Sequence, residues 1–278
     1  MKFRKTAYTQ IRKDGKMDSQ HIDDFLSSIV SVDTETTGKD ANVAEVIEIG
    51  IAFLTNRWLT YGHLFKPETQ ELTPECSAVT NISKKMVQNS PTFSEYIDSD
   101  KCHVTLTMND SQIMLAHNAQ YDLMVLRRYG VKFSNSLCTL KIAKKLFKDD
   151  QSVTAFNLPY LRYRFEILDP ADSDLNAHRA PDDALVTAHL LEYFLAIMIE
   201  RGIVDPNRPI FDQINDWINE PVILTSMPFG KYKGMPFKDV PVSYWKWALD
   251  NIEALDSESE KYDADLATSV LAYLNDVL

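Results

Sequence analysis

Asp33 and Glu35 stand one residue apart at the end of an apolar, β-branched run, Ile29-Val30-Ser31-Val32-Asp33-Thr34-Glu35. Residues i and i+2 of a strand share a face, so the two carboxylates aim at one point. The run then gives way to Thr36-Thr37-Gly38, which releases the chain into a turn. Two carboxylates held together at the end of a buried strand repel each other unless a cation sits between them. Mg²⁺ or Mn²⁺ meets that need, because hard cations take oxygen ligands and keep water for chemistry. Asp-x-Glu alone is weak evidence, since exposed loops contain it by chance.

Two later stretches strengthen it. Leu115-Ala116-His117-Asn118-Ala119-Gln120-Tyr121-Asp122 brings a third carboxylate to the point where a strand passes into a helix. His178-Arg179-Ala180-Pro181-Asp182-Asp183-Ala184 brings a fourth, with a histidine ahead of it. In order, type and spacing these motifs (Asp-x-Glu, His-Asn-Ala-x-[aromatic]-Asp and His-x-Ala-x-x-Asp-Ala) resemble those of the DEDDh class of 3′–5′ exonucleases. That class includes polymerase proofreading subunits, ribonuclease T and oligoribonuclease.

The resemblance implies a site and its chemistry. Phosphodiester hydrolysis needs in-line attack by water and stabilisation of the departing 3′ oxygen, and two metals roughly 3.5–4 Å apart serve both. By resemblance Asp33, Glu35, Asp122 and Asp183 hold two Mg²⁺ ions, for which Mn²⁺ substitutes, and Asp33 bridges them. His178 is then the general base, since an imidazole titrates near neutrality. Asp182 adjoins Asp183, but the family spacing selects Asp183. Family analogy also places Thr36 and Thr37 at the terminal nucleotide. His117 and Asn118 read first as holding the turn before Asp122, with Asn118 kept as a substrate-binding candidate. The segment Ser77–Met86 resembles the one that flanks the 3′ nucleotide in the family. It carries Thr80-Asn81-Ile82 where a His-x-Ile pattern is common. A threonine cannot stack on a terminal base, which weakens the expectation of activity on duplex ends.

These side chains need a scaffold. Ile29–Asp33, Val46–Leu54 and Trp58–Phe65 read as strands, the last two forming an antiparallel meander across Thr55-Asn56-Arg57. Ile113–Ala116 reads as a short buried strand. Tyr121–Tyr129, Leu137–Phe147, Leu158–Tyr163 and Asp183–Glu200 read as helices. Glu48, within the second strand, reads as paired with a neighbour more readily than as a site residue. On Leu137–Phe147 the polar side carries Lys141, Lys144 and Lys145, followed by Lys148. That row is either a solvated face or a phosphate-tracking patch, with Lys141 and Lys145 as substrate-binding candidates. The pattern predicts an α/β domain with a mixed central sheet, in agreement with the ribonuclease H-like exonuclease fold that the resemblance implies.

The expected organisation is an N-terminal extension over 1–28, an exonuclease domain over 29–200, a linker over 201–221 with a short helix near Phe211–Ile218, and a small α+β module over 222–278. The extension is basic between Met1 and Lys16, which reads as a flexible leader with a DNA-binding arm as the alternative, and residues 18–28 read as a short helix before the first strand. Residues 90–111 show little pattern beyond a helix starting at Phe93. In the module, glycines bracket an aromatic–basic stretch, Phe229-Gly230-Lys231-Tyr232-Lys233-Gly234, which predicts a tight hairpin. Helices follow over Val242–Asn251 and Ala264–Leu278, and Tyr244, Trp245 and Trp247 supply an apolar centre. This stretch resembles the C-terminal module of the exonuclease X group. Lys231, Tyr232 and Lys233 combine charge with an aromatic face, which suits single-stranded nucleic acid. The bland alternative is a hairpin whose tyrosine packs and whose lysines only solvate.

Bulk properties bound the rest. With 278 residues, 45% hydrophobic and 25% charged, the chain has room for one large domain and a small one. No apolar run reaches the ~18 residues of a membrane span, and the basic N-terminus lacks the apolar core of a secretory signal. Cys76, Cys102 and Cys138 have no metal-ligand spacing and read as reduced thiols of a cytoplasmic protein. A net charge of −11 argues against broad electrostatic capture of nucleic acid and predicts a distributive enzyme. The expected function is metal-dependent 3′–5′ hydrolysis of DNA to nucleoside 5′-monophosphates, with single-stranded 3′ ends preferred. The alternatives are a 3′–5′ exoribonuclease or a catalytically silent nucleic-acid-binding module.

Overall fold

The computed structural model describes residues 20–54, 60–99, 112–148, 150–168, 175–221, 223–256, 259 and 263–277. The expected leader up to residue 19, the turn at Thr55-Asn56-Arg57 and residues 100–111 of the illegible stretch lie outside the described residues. The chain divides into two compact units, 1–215 and 216–278.

In the large unit, helix α1 (Gln20–Ser28) buries Ile22, Phe25 and Leu26 and leads directly into strand β1 (Ile29–Thr36). β1 thus extends through Glu35, past the expected end at Asp33, and both carboxylates belong to the strand itself. It pairs antiparallel with β2 (Val46–Phe53), which pairs antiparallel with β3 (Thr60–Leu64). Three short helices follow: α2 (Pro74–Thr80), α3 (Lys84–Val87) and α4 (Phe93–Ile97). α4 opens with a reciprocal cap, in which Glu95 N donates to Thr92 Oγ1 at 3.1 Å and Thr92 N donates to Glu95 Oε2 at 2.7 Å.

Next come β4 (Ile113–Ala116), α5 (Ala119–Arg128), β5 (Asn135–Cys138), α6 (Thr139–Leu146), α7 (Leu158–Arg164) and α8 (Ala180–Glu200). β4 lies parallel to β1, and β5 parallel to β4, which gives a mixed five-stranded sheet in the order β3-β2-β1-β4-β5. β5 was not expected. The sequence pattern alone carries the helix back to Leu137, because Leu137-Cys138 is apolar enough to continue either element. The sheet decides: Leu137 pairs with Leu115 and Cys138 with Ala116.

Alternation along β1 separates two layers. Val30 and Val32 pack into one core with Met114, Ala116, Val125 and Leu126, on the side of α5. Asp33 is the cross-strand partner of Gly50, and Gly50 in turn of Gly62. These two glycines let a helix terminus approach the sheet. A Cβ at Gly50 would stand 1.9 Å from the Ala180 carbonyl carbon, and one at Gly62 would stand 2.2 Å from Pro181 Cγ. The start of α8 therefore rests on bare backbone beside Asp33, while the rest of the helix buries Leu191, Leu195 and Met198.

In the small unit, α10 (Val242–Asn251) and α11 (Ala264–Val277) follow a loop that carries 3₁₀ turns at Gly230–Tyr232 and Phe237–Asp239; α9 (Ile210–Asn219) spans the division between units. The expected hairpin is reduced to a single antiparallel bridge between Ser226 and Pro236, with Met227 N donating to Met235 O and Gly234 N to Met227 O. Trp245 is completely buried among Met227, Phe237, Leu266 and Val270. Trp247, expected in that centre, is 51% exposed. Helical phase is the reason: Trp245 and Ala248 share the inner face, and Trp247 falls outside it.

Candidate active site

Asp33 and Glu35 point to the face of β1 on which α8 begins, and Asp183 lies in the first turn of that helix. His178 precedes it in a left-handed backbone conformation, φ 61°. Its peptide N donates to Asp183 Oδ2 at 3.1 Å. The ligand atoms of Glu35, His178 and Asp183 all lie within 4.8 Å of one another. Asp182 turns elsewhere, accepting from Asn176 N at 2.8 Å, and so holds the approach to the helix.

Asp122 reaches the site from α5, on the other face of the sheet. One of its oxygens accepts from Thr34 N at 3.0 Å and Thr34 Oγ1 at 2.7 Å. Asp33 and Asp122 lie outside the tight group of Glu35, His178 and Asp183 but within its electrostatic field. Burial and then the charges of Asp122, Asp183 and Glu35 hold the Asp33 carboxyl well above the carboxylate range. Burial followed by repulsion from Asp183 and Glu48 raises Glu35 to about 8. Burial raises Asp122 to about 7 against the opposing Thr34 bonds, and Asp183 to about 6 against the His178 peptide. Four carboxylates that resist ionising together are a donor set for hard divalent cations, which favour the charged form. The residues present therefore fit such ions, in keeping with the divalent-metal dependence of the exonuclease family.

Glu48 neighbours Glu35 across the strands and is only 1% exposed. It accepts from Arg179 Nη2 at 2.6 Å and from Arg179 Nε at 3.1 and 3.2 Å, and it also accepts from Ala180 N at 2.9 Å. This ties β2 to the residue after His178. Arg179 lies inside the third motif, yet no role was assigned to it. Its signal in the sequence is a lone arginine opposite a lone glutamate inside a buried strand. Thr34 was missed for a similar reason, since a threonine between two acids reads as an ordinary strand residue.

The remaining candidates are distributed as follows. Thr36 Oγ1 bonds Gly38 O at 2.8 Å and the Tyr121 hydroxyl at 2.5 Å; the Thr37 hydroxyl bonds Gln70 Oε1 and accepts from Glu45 N at 2.9 Å. Both hydroxyls are thus engaged in shaping the loop after β1. Asn118 is exposed at φ 73° and heads α5. His117 holds the turn: Nε2 donates to Phe156 O at 2.8 Å, which leaves Nδ1 to accept from Thr139 Oγ1 at 2.9 Å. Burial lowers its pKa to about 4. Lys141 is exposed on α6 and Lys145 partly so, while Thr139, Ile142, Ala143 and Leu146 face inward. Thr80 is buried, its hydroxyl donating to Cys76 O at 3.0 Å. Lys231, Tyr232 and Lys233 lie in the small unit.

Comparison with known proteins identifies the family. Residues 30–191 match the family described as Exonuclease, and residues 218–251 match one described as Putative quorum-sensing-regulated virulence factor. The chain is 26% identical over 233 residues to Exodeoxyribonuclease 10 of Escherichia coli, covering 82% of this chain and 93% of that protein. It is 30% identical over 173 residues to the 3′-5′ exonuclease DinG of Staphylococcus haemolyticus, covering 59% of this chain and 18% of that one. The fold is shared with exonuclease X in complex with 5′ overhanging duplex DNA, at 22% identity and a TM-score of 0.50 over 66% of this chain and 98% of that one. It is also shared with Escherichia coli exonuclease I in complex with a dT13 oligonucleotide, at 14% identity and a TM-score of 0.50 over 63% of this chain and 42% of that one. The chain belongs to the exonuclease family, with its ribonuclease H-like fold, and is a 3′–5′ exonuclease.

Proposed function

We propose that the chain hydrolyses DNA from single-stranded 3′ ends to nucleoside 5′-monophosphates, releases its substrate often, and works in the cytoplasm. The observation that carries this reading is the convergence of Glu35, His178 and Asp183 beside the buried carboxyls of Asp33 and Asp122. Asp33, Glu35, Asp122 and Asp183 would hold two Mg²⁺ ions, with Mn²⁺ as substitute. When bound, the ions supply the positive charge that offsets the attacking and departing oxygens. An imidazole nitrogen of His178 takes the proton from the attacking water, and Asp183 keeps the His178 peptide in place through its 3.1 Å bond. Thr36, Thr37 and Asn118 shape the cleft for the terminal nucleotide, and Lys141 and Lys145 attract phosphates upstream.

Similarity to Exodeoxyribonuclease 10 over most of both chains supports DNA as the substrate. Burial of Thr80, with its hydroxyl committed to the end of α2, supports single strands over duplex ends. No helix among the described residues is long and apolar enough to cross a membrane. Cys76 and Cys138 are free thiols, which suits a reducing compartment.

The test is digestion of 5′-labelled single-stranded DNA and RNA of one sequence with Mg²⁺ or EDTA. A descending DNA ladder that disappears with EDTA, Asp183→Ala or His178→Ala is expected. A ladder on RNA alone would replace this reading with an exoribonuclease. Retained binding without a ladder on any substrate would replace it with a silent binding module.

A further inference from the structure

The small unit carries a row of side chains that runs outward from its core: Tyr232 and Tyr244 pack against the core, and Trp247 lies beyond them at the surface. Lys231 Nζ lies 5.2 Å from the Tyr232 ring centroid. Tyr232 meets Tyr244 edge to face at 4.7 Å, and Tyr244 meets Trp247 at 5.5 Å with the rings tilted by 38°. Two devices build the row. Gly230, at φ 71°, turns the 3₁₀ segment so that Tyr232 meets α10. Tyr244 and Trp247 are three residues apart on that helix and so share a flank. The row ends on an indole that is half exposed, while the neighbouring Trp245 is fully buried.

The surrounding charge indicates what the row receives. Between Phe229 and Leu249 the chain carries Lys231, Lys233, Lys238 and Lys246 against Asp239 alone, in a protein whose net charge is −11. All four lysines are exposed. An acidic chain that concentrates cations around a half-exposed indole backed by two partly buried tyrosines fits a ligand that is both anionic and planar. We propose that Lys231, Tyr232, Tyr244 and Trp247 form a stacking platform for single-stranded nucleic acid, a second hold on the polymer carried by the small unit. Bases stack on the rings whatever their identity, and the lysines meet the phosphates. The proposal rests on the exonuclease reading only for the physiological source of the strand.

The test uses the full chain and two readouts. Binding of fluorescein-labelled dT20 and rU20 is measured by anisotropy in EDTA, where hydrolysis is suppressed. Hydrolysis of the p-nitrophenyl ester of thymidine 5′-monophosphate with Mn²⁺ is followed separately. The ester has no chain to reach the platform and reports on the carboxylate site alone, so failure of the exonuclease reading and failure of this proposal are distinguishable. Trp247→Ala is expected to weaken binding of both oligomers about tenfold, with Trp247→Phe recovering most of the loss. It is expected to leave ester hydrolysis and thermal unfolding unchanged. Lys231→Ala is expected to reduce the slope of log K against log salt by about 0.7. Wild-type binding of both oligomers by the Trp247→Ala and Lys231→Ala variants would overturn the proposal. Equal weakening by Trp247→Ala on a blunt duplex would also overturn it, since paired bases have no free face to stack.

Discussion

Arg179 closes on Glu48 through three contacts between 2.6 and 3.2 Å, and so fixes the residue after the candidate base to the strand beside the candidate metal site. Removing one partner leaves an uncompensated buried charge, which typically costs about 3–5 kcal/mol. Arg179→Met is expected to lose stability of that order in urea unfolding, and to lose kcat by more than it changes KM. The double variant Glu48→Gln with Arg179→Met is expected to regain most of the stability but little of the kcat, because the residue after His178 is no longer tied to β2 by the guanidinium. Wild-type kcat in the double variant would show that the pair only stabilises the fold.

The carboxylate site also predicts how the metal-free protein responds to pH. Glu35 at about 8, Asp122 at about 7 and Asp183 at about 6 hold protons that the unfolded chain releases in the ordinary carboxylate range. Across that interval the folded state binds more protons, so stability falls as pH rises. Glu45 acts oppositely at lower pH. Bonds from Thr69, Gln70 and Glu68 outweigh its burial and lower its pKa, so its contribution is lost as pH falls through that depressed value. In EDTA the Tm is expected to decline between about pH 5 and pH 8. Added Mn²⁺ is expected to raise it more at the upper end, with release of protons. A flat Tm over that interval, or an equal Mn²⁺ effect at both ends, would contradict the site's charge balance.

Gly50 governs the position of α8. Its missing Cβ would stand 1.9 Å from Ala180 backbone, so Gly50→Ala must push the helix terminus and its Asp183 away from Asp33. A loss of about 1–3 kcal/mol is expected, as for other overpacked sites, together with a large loss of kcat. Gly62→Ala meets the Pro181 ring on the edge strand, which has room to shift, and is expected to cost less. Unchanged activity in Gly50→Ala would show that the approach of α8 is not required for catalysis.

His117 and His178 are expected to separate cleanly. Burial keeps the His117 imidazole neutral across the working pH range. Its removal leaves Phe156 O without its donor and Thr139 Oγ1 with only its long bond to Ala116 O, at a cost of about 1–3 kcal/mol. His117→Ala is thus expected to lower the Tm while leaving the shape of the kcat pH profile unchanged. His178→Ala is expected to remove activity with little effect on Tm. A displaced pH profile in His117→Ala would assign His117 a part in the proton transfer.

Much of the fold was legible because its signals are local. Continuous apolar runs located β2 and β4, Pro159 in the first turn marked α7, and apolar residues at helical spacing located α8. The class followed from the alternation of these elements. Where two periods fit one short apolar run, as at Leu137-Cys138, only the neighbouring strand decided between them. Trp247 was misplaced because three aromatic residues within four positions cannot all face one core, and only the packing of Met227, Phe237 and Leu266 selected Trp245.

The candidate site divides along the same line. Asp33, Glu35, Asp122, Asp183 and His178 were singled out by the resemblance of their three motifs to those of the exonuclease class, and the fold brings Glu35, His178 and Asp183 within reach of one another. The sequence by itself determined which groups meet. How they are held was decided by tertiary structure: Thr34 on Asp122, Arg179 on Glu48, and the bare backbone of Gly50 and Gly62 beneath α8. Each of these contacts joins residues far apart in the chain. Their strength comes from burial and from the register of the strands, and neither quantity exists until the sheet has formed.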